Sequence, residues 1–176
     1  MIPWLVLSFR TVATVRFAFA LAVAVTTAAL PACKNSGAPR PATGLADAAG
    51  PTVVVATGER EVTFHVELAT TPEQRERGLM FREHLAADAG MLFVFDQPAL
   101  QTFWMKNTLI PLDMIFLSPD REIVGIVANA EPLTLTGRGV NEPSQFVLEI
   151  NGGLAARLGI RAGQRLQFRG IDAPAP

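Results

Sequence analysis

Short stretches of alternating apolar and polar residues predict a series of β-strands after residue 52. The clearest is 62–68, Val-Thr-Phe-His-Val-Glu-Leu, in which every second side chain is apolar. This is the period with which strand side chains share one face of a sheet. The run at 91–95 is apolar on both faces, which predicts burial between layers. Further strands are predicted at 53–55, 103–105, 114–117, 123–128, 146–150 and 164–168.

The strongest helix signal lies between Thr71 and Gly78. Thr71 is a favoured N-cap, and Pro72 suits the first helical position. Gln74 stands three residues after the cap, as in a capping box. Gly78 fits the end of the helix, so this helix is predicted to be short.

Weaker signals predict two more helical turns and two connections. We expect short helices at 82–89 and 151–158, a hairpin turn at 118–122 and an irregular loop at 131–144. Many short strands with few helices are typical of a mainly β fold with a minor α+β character. The predicted architecture is a compact β-barrel or sandwich-like domain with two or three short helices.

Residues 1–32 have the organisation of a signal peptide. Arg10 and Arg16 form a basic region, and an Ala/Val-rich apolar stretch follows at 17–30. This stretch is shorter than the roughly 20 apolar residues that a membrane-spanning helix needs. An uncleaved membrane anchor is the alternative, but the two arginines interrupt the longer apolar run that it would require.

Cys33 is the only cysteine of the chain and directly follows this leader. The sequence Leu-Pro-Ala-Cys at 30–33 resembles the lipobox of bacterial lipoproteins, in which the cysteine thiol is acylated. Pro31 departs from the residue usual at its position, and the alternative is ordinary cleavage that leaves a stray thiol. Because a single cysteine in an exported protein needs a role, we expect lipidation at Cys33 on the periplasmic side of a bacterial membrane.

Composition divides the remaining chain into three parts. Residues 33–52 are rich in Ala, Pro and Gly and predict a flexible tether. Residues 53–171 predict a single β-rich domain, which is long enough for one hydrophobic core, and residues 172–176 predict a tail. Loss of the two leader arginines leaves 13 basic and 16 acidic residues, a net charge of −3.

This charge distribution bears on the partners of the protein. Without a lysine or arginine stripe, the sequence argues against nucleic acid as a partner. It argues equally against adhesion to anionic lipid by charge. Membrane contact is therefore expected through the N-terminal lipid only, and the expected partner is a small polar ligand or an envelope protein.

Standard catalytic and metal-binding motifs are absent from the sequence. It has no paired-cysteine motif, no phosphate-binding glycine loop and no Gly-x-Ser-x-Gly turn. The two histidines, His65 and His84, lack a cysteine partner in the domain and are not spaced as a helical pair. We therefore expect no cofactor and no metal site, and His65 is not expected to act as a base.

Polar side chains interrupt the apolar run at 103–117. They are Lys106, Asn107, Thr108 and Asp113. Burying an unpaired polar group costs about 1–3 kcal/mol, so these groups either find partners or line a site. Glu149, between apolar neighbours on a predicted strand, raises the same question.

Two interpretations of these polar residues stay open. In the first, Arg82, Asp113 and Glu149 form structural pairs while Asn107 fixes a turn. In the second, the polar groups face a cleft walled by Trp104 and Phe103 and bind a small polar ligand, such as a sugar or a peptide end. The candidate ligand-binding residues are Arg82, Trp104, Lys106, Asn107, Thr108, Asp113 and Glu149.

Five segments of the domain carry a family resemblance. They are 76–82 (ERGLMFR), 90–95 (GMLFVF), 103–108 (FWMKNT), 110–113 (IPLD) and 148–153 (LEINGG). In this order and spacing the chain closely resembles domain-of-unknown-function family 192. The resemblance implies a compact β-rich domain that is often exported, and it implies no established activity, substrate or cofactor.

Three functional hypotheses follow from the sequence. The leading one is a non-catalytic, membrane-tethered binding or accessory domain of the cell envelope. The second is a hydrolase or transferase acting on envelope glycans, with Asp113 and Glu149 as acid and base. The third is a Cu(I)-handling protein, because thioethers bind Cu(I), although methionine is also a common core residue. Its ligands would be Met80, Met91, Met105 and Met114.

Overall fold

The computed structural model describes residues 50–58 and 60–172. The predicted signal peptide, most of the tether including Cys33, and the last four residues of the tail lie outside these residues. Among the described residues, none of the helices has the length and apolarity to cross a bilayer. The elements are β1 (Thr52–Thr57), β2 (Arg60–Ala69), α1 (Pro72–Arg77), β3 (Ala89–Ala99), β4 (Leu112–Leu117), β5 (Ile123–Ala130), β6 (Ser144–Asn151), α2 (Leu154–Leu158) and β7 (Leu166–Arg169).

The seven strands form one sheet in the order β5-β4-β6-β3-β2-β1-β7. Neighbouring strands are antiparallel except β2 and β3. A parallel pair needs a crossover connection, which here contains α1. The edges of the sheet meet at one corner, where Glu122 and Arg165 form an isolated bridge. The sheet therefore curls, but it is not closed into a barrel.

Side chains from the two faces of the sheet build two cores. The inner core takes residues from every strand, among them Val53, Phe64, Leu92, Ile115 and Phe146, and α2 adds Leu154 and Ala155. The outer core lies on the opposite face of β3, β6 and β4 and contains Leu79, Met91, Phe93, Met105, Met114, Phe116 and Val147. Its cover is the crossover together with the connections at 100–111 and 131–143.

The mainly β fold with two short helices is confirmed, and its layered packing is sandwich-like. The capping box of α1 is also present. The Thr71 hydroxyl accepts from the Gln74 amide at 3.2 Å, and the Gln74 side-chain oxygen accepts from the Thr71 amide at 3.0 Å. These bonds satisfy amides that the first turn of a helix leaves free.

The predicted helix at 82–89 is wrong. This segment is irregular with a turn at 87–88, and several of its carbonyls accept hydrogen bonds from distant residues. The Asn151 side-chain amide donates to the carbonyls of Leu85 and Ala86 at 3.1 and 3.0 Å, and the Asp88 carbonyl accepts from the His65 amide at 2.8 Å. Tertiary contacts thus take the acceptors that a local helix would need.

The predicted strand at 103–105 is also wrong. Phe103 makes a single bridge to Arg138, and the Met105 amide donates to the Thr134 carbonyl at 3.0 Å. The segment pairs with the 131–143 connection instead of joining the sheet. Its apolar side chains reflect packing onto the outer face of the sheet, where Met105 is fully buried.

Candidate functional site

A cleft of about 250 Å³ opens on the outer face of the sheet. It lies between α1 and the turn that follows it, the end of β3, and the segment 101–108. Glu149 on β6 is its most deeply placed charged residue. The lining consists of Arg75, Glu76, Arg77, Gly78, Leu79, Met80, Phe93, Phe95, Gln101, Thr102, Phe103, Trp104, Thr108 and Glu149.

Strand register places the Glu149 side chain among apolar residues. Glu149 pairs with Met91 on β3 and with Met114 on β4, and both methionines belong to the outer core. Only 4% of Glu149 is exposed. Glu149 is nevertheless one of the residues that line the cleft.

The Glu149 carboxyl lacks a hydrogen-bond donor within the described residues: no backbone or side-chain group there donates to it. No cation of the described part of the chain pairs with it, and desolvation by burial raises its pKa from 4.5 to about 8. Burial penalises the charged form of an acid. The free protein therefore holds a neutral carboxylic acid at the base of this cleft near pH 7.

Aromatic rings form the wall of the cleft beside Glu149. Phe103 packs edge-to-face with Phe93, Phe116 and Phe95, at centroid distances of 5.0, 5.9 and 6.4 Å. This geometry is the one aromatic pairs prefer. The cluster anchors the start of the 103–108 segment and holds the next residue, Trp104, at the rim with 46% of its surface exposed.

The opposite rim comes from α1. The Arg75 guanidinium donates to the carbonyls of Thr70 and Val94 at 2.6 and 2.8 Å and lies 5.1 Å from the centroid of the Phe95 ring. Through these contacts the Arg75 side chain connects α1 to β3. Glu76 and Arg77 are exposed on the same rim, where water screens their charges.

Asp113 is fully buried on the inner face of the sheet. Its carboxylate accepts backbone hydrogen bonds from Asn129 and Gly153 at 2.7 and 2.8 Å and from Ala155 at 2.8 Å. It thereby joins β4 to β5 and to the start of α2. Asp113 does not line the cleft that contains Glu149.

The structural pairs expected among Arg82, Asp113 and Glu149 do not form. Arg82 instead pairs with Glu67 on β2. It lines a separate, shallow depression together with His65 and His84. Arg82 is therefore positioned by the crossover away from Glu149, because the 82–89 segment turns back towards β2.

The three polar residues of the 106–108 turn lie at or beside the cleft. Thr108 is buried and lines it. Lys106 and Asn107 line an adjoining depression with Met80 and Arg77. The Lys106 ammonium stands 5.2 Å from the centroid of the Trp104 ring, so it supports Trp104 by cation–π attraction.

Asn107 has a left-handed backbone with φ 55°. Asparagine tolerates this conformation better than most residues, and the Asn107 carbonyl accepts from the Phe81 amide at 2.8 Å. Its side-chain amide lies 3.9 Å from the Met80 sulfur. Asn107 thus shapes the turn that carries Lys106 and Thr108.

Three of the four methionines considered for Cu(I), Met91, Met105 and Met114, are buried in the outer core. Met80 is part-exposed at the cleft. Within residues 50–58 and 60–172, no cluster of three or more His, Cys, Asp or Glu side chains is placed to hold a metal ion. Met91, Met105 and Met114 therefore contribute packing volume to the outer core.

Sequence reasoning did not select several residues of this cleft. Arg75, Arg77 and Phe95 line it, yet on the sequence alone the arginines belong to a solvated helix face and Phe95 to a buried strand. The available signal was the family resemblance, since segments 76–82 and 90–95 supply one side of the cleft.

The protein is a small mainly β domain with a cleft on the outer face of its sheet, and the buried Glu149 carboxyl lies at the base of this cleft. The family model described as "Uncharacterized ACR", DUF192, matches residues 53–168. The chain belongs to this family, which confirms the resemblance read from the sequence. None of the curated proteins compared with the chain matches it significantly.

Two solved structures are similar to this chain. One is a candidate transcription regulator from Sinorhizobium meliloti 1021, with 43% identity, a TM-score of 0.66, and coverage of 69% of this chain and 95% of that one. The other is a protein of unknown function from Novosphingobium aromaticivorans DSM 12444. It has 42% identity and a TM-score of 0.66, and the match covers 74% of this chain and 99% of that one.

Proposed function

We propose that this protein is a non-catalytic binding domain of the cell envelope that takes a small polar ligand in the outer-face cleft. The leader at 1–32 exports it, and acylated Cys33 anchors it to the membrane. The observation that carries the proposal is the Glu149 carboxyl, buried at the base of an open cleft without a donor from the described residues.

Glu149 is only 4% exposed, and removing a carboxyl from water has a cost that hydrogen bonds normally offset. Leucine or methionine at position 149 would match its neighbours Met91 and Met114 and remove that cost. The position of Glu149 is therefore explained if a ligand supplies the missing hydrogen-bond partner. Aromatic walls with one or two polar groups are the usual construction of small-molecule sites.

The same geometry argues against the glycan-acting alternative. That mechanism needs two carboxyl groups about 5–10 Å apart across one cleft. The Asp113 carboxylate lies on the inner face, and its oxygens are occupied by three backbone amides. Of these two proposed carboxyls, only Glu149 lines the cleft.

We do not propose nucleic-acid binding for this protein, although one similar structure is named as a candidate transcription regulator. After removal of the leader the chain has a net charge of −3, and the phosphate backbone is bound through clustered lysines and arginines. The rim of the cleft mixes Arg75 and Arg77 with Glu76, which suits a compact ligand better than a polyanion.

Thermal denaturation of the full chain in mild detergent tests the proposal. The probes are glucose, N-acetylglucosamine, trialanine, N-acetyl-trialanine, benzylamine and benzyl alcohol. We expect at least one probe to raise the Tm and to shift the Trp104 indole signal in NMR spectra. The rise in Tm should be lost in Trp104→Ala and in Glu149→Gln, the indole shift should be lost in Glu149→Gln, and the unliganded variants should stay folded.

Two matched variants control this experiment. Leu109 is exposed to a similar extent as Trp104 and does not line the cleft, so Leu109→Ala should keep the response. Glu122→Gln removes a carboxylate at the sheet corner and should also keep it. Absence of any response across the panel, or a response that survives both cleft substitutions, overturns the proposed function.

A further inference from the structure

We infer that the ligand of this cleft carries a primary ammonium group, for which the Glu149 carboxylate is the counter-ion. This inference rests on the proposed function and names the chemical class that the same site selects. Three features support it: the Glu149 carboxyl has no donor among the described residues, the cleft walls are aromatic, and the carboxyl must ionise when a cation binds.

Within residues 50–58 and 60–172, the surroundings of Glu149 offer no hydrogen-bond donor to its carboxyl. β3 and β4 present Met91 and Met114 beside it, and the rings of Phe93 and Phe103 line the same cleft. An ionised carboxylate has about four acceptor positions, whereas an ammonium group has three donors and no acceptor. An incoming ammonium therefore matches this site without needing any acceptor from the protein other than Glu149.

The walls suit a cation as well. Aromatic faces attract cations, and the attraction grows when the cation is removed from water. Two aromatic residues of this cleft already hold protein cations: Arg75 lies over Phe95 at 5.1 Å and Lys106 over Trp104 at 5.2 Å. Both contacts are at the rim, and the described residues place the Glu149 carboxyl but no cation on the floor of the cleft.

The remaining charges near the cleft are few. α1 contributes Arg75, Glu76 and Arg77, and the 101–108 segment contributes Lys106 beside Trp104. β3 and β4 contribute no titratable group facing Glu149. The rim charges face solvent and are screened. Glu149 lies in the buried, low-dielectric base of the cleft, where an ionised carboxylate attracts a cation more strongly than it would at the surface.

Binding of an ammonium requires Glu149 to ionise. The carboxylic acid loses its proton to solvent, and the resulting carboxylate accepts hydrogen bonds from the ammonium, so one proton is released for each ligand bound. Since burial raises the pKa of the free carboxyl to about 8, the ionised fraction rises about 50-fold between pH 6 and pH 8. The association constant should follow this rise.

A neutral hydroxyl ligand would behave differently. It would accept a hydrogen bond from the protonated Glu149 carboxyl, because a carboxylic acid has one O–H donor. Its affinity would be constant below about pH 8 and would fall above it. The pH dependence therefore distinguishes the two classes of ligand at the same site.

Isothermal titration of the full chain with benzylamine and benzyl alcohol, which share a shape, tests the inference. Benzylamine should bind with an affinity that rises about 50-fold from pH 6 to pH 8, with release of one proton measured in buffers of different ionisation enthalpy. Benzyl alcohol should bind more weakly and without that rise. Glu149→Gln should lose benzylamine binding at both pH values, and Glu122→Gln should keep both the binding and its pH dependence.

The outcomes separate this inference from the proposed function. Equal affinity for the two compounds, or benzylamine binding without proton release, overturns the ammonium class. If N-acetylglucosamine or another neutral probe binds in a Trp104- and Glu149-dependent way while benzylamine does not, the cleft is a binding site but the inference is wrong. If no probe binds, the proposed function fails together with it.

Discussion

Asp113 and Glu149 lie on neighbouring strands but point to opposite faces of the same sheet. Asp113 pairs with Ile150, and Glu149 pairs with Met114, so the two-residue period of a strand sends the carboxyls in opposite directions. The inner one accepts three backbone hydrogen bonds. The outer one has no donor among the described residues, and this difference separates a structural acid from a candidate ligand-binding acid.

Glu149 should make the stability of the protein depend on pH. The pKa of its carboxyl is about 8 in the folded state and about 4.5 when exposed, so the folded state binds more protons between these values. Its stabilising contribution is complete below about pH 4.5 and is lost as the pH rises towards 8. The free energy of unfolding should fall by about 1.4 kcal/mol per pH unit across this window.

The measurement is urea denaturation of the wild type and Glu149→Gln at several pH values. The variant cannot ionise, so the stability difference between the two proteins isolates the Glu149 contribution from the other carboxylates. Glu67→Gln, at an exposed position of β2, should keep the wild-type slope. A parallel pH dependence of wild type and Glu149→Gln would contradict the prediction.

Asp113→Ala should destabilise the fold severely. It leaves three backbone amides around the inner core without an acceptor, and hydrogen bonds to charged groups contribute about 1.5–3 kcal/mol each. We expect a loss of about 3–5 kcal/mol, a large part of the stability of a typical domain. Asp113→Asn keeps one oxygen and should lose less.

Chemical denaturation measures this loss, and Asp120→Asn is the control. Asp120 is exposed in the hairpin turn, where substitutions typically change stability by less than about 0.5 kcal/mol. A fully stable Asp113→Ala protein with weakened ligand binding would instead support the sequence-based interpretation that Asp113 contacts the ligand.

Local patterning was sufficient to predict most of the sheet. Alternation identified β2, and the hairpin signal at 118–122 correctly joined β4 to β5. The segments 82–89 and 103–105 were misread because their apolar residues serve the outer core while their backbones bond to distant partners, Asn151 and Thr134. Periodicity along the chain contains no information on such long-range hydrogen bonds.

Only part of the candidate site could be predicted from the sequence. An apolar strand with one acid in it, at Glu149, signals an unusual buried group. The partners of Asp113 could not be read, because they are backbone amides of β5 and α2 up to 42 positions away. The role of Arg75 could not be predicted for a similar reason, since its long-range hydrogen-bond partner is the Val94 carbonyl, 19 positions away.

Asn107→Gly should separate the turn-forming role of Asn107 from a ligand-binding role. Glycine adopts positive φ readily, so the turn and the Phe81–Asn107 hydrogen bond should persist. Asn107→Ala keeps a Cβ in a left-handed conformation and should cost about 1 kcal/mol more than the glycine variant. Thermal denaturation compares the two variants.

The same pair tests recognition. If Asn107 only shapes the turn, Asn107→Gly should retain wild-type affinity for whichever probe binds in the cleft. A folded Asn107→Gly protein that has lost this affinity would show that the side-chain amide itself contacts the ligand, as the sequence-based hypothesis allows.

Gly90→Ala should weaken the pairing of β3 with β6 at the strand that carries Glu149. A Cβ at position 90 would lie 2.7 Å from the Glu149 carbonyl oxygen and 3.2 Å from the Ile150 Cγ2 atom. The backbone carbonyl cannot move out of the way as easily as a flexible side chain. We therefore expect this clash to lower the free energy of unfolding by about 1–3 kcal/mol. Gly50→Ala, whose Cβ would meet nothing within 4 Å, is the control, and equal stability of the two variants would contradict the expected contact.

Cys33→Ser should release the protein from the membrane if the lipobox-like sequence is processed as proposed. Cys33 lies outside the described residues, and the substitution changes one atom in the tether, so the fold and the cleft should be unaffected. Acylation contributes about 0.8 kcal/mol per buried CH₂ group, far more than a serine hydroxyl can supply. Fractionation of cells that express each form should place the wild type in the membrane pellet and Cys33→Ser in the soluble extract. Ser36→Ala, in the same tether, is the control, and a Cys33→Ser protein that has lost its leader yet stays in the membrane pellet would rule out lipid anchoring at this residue.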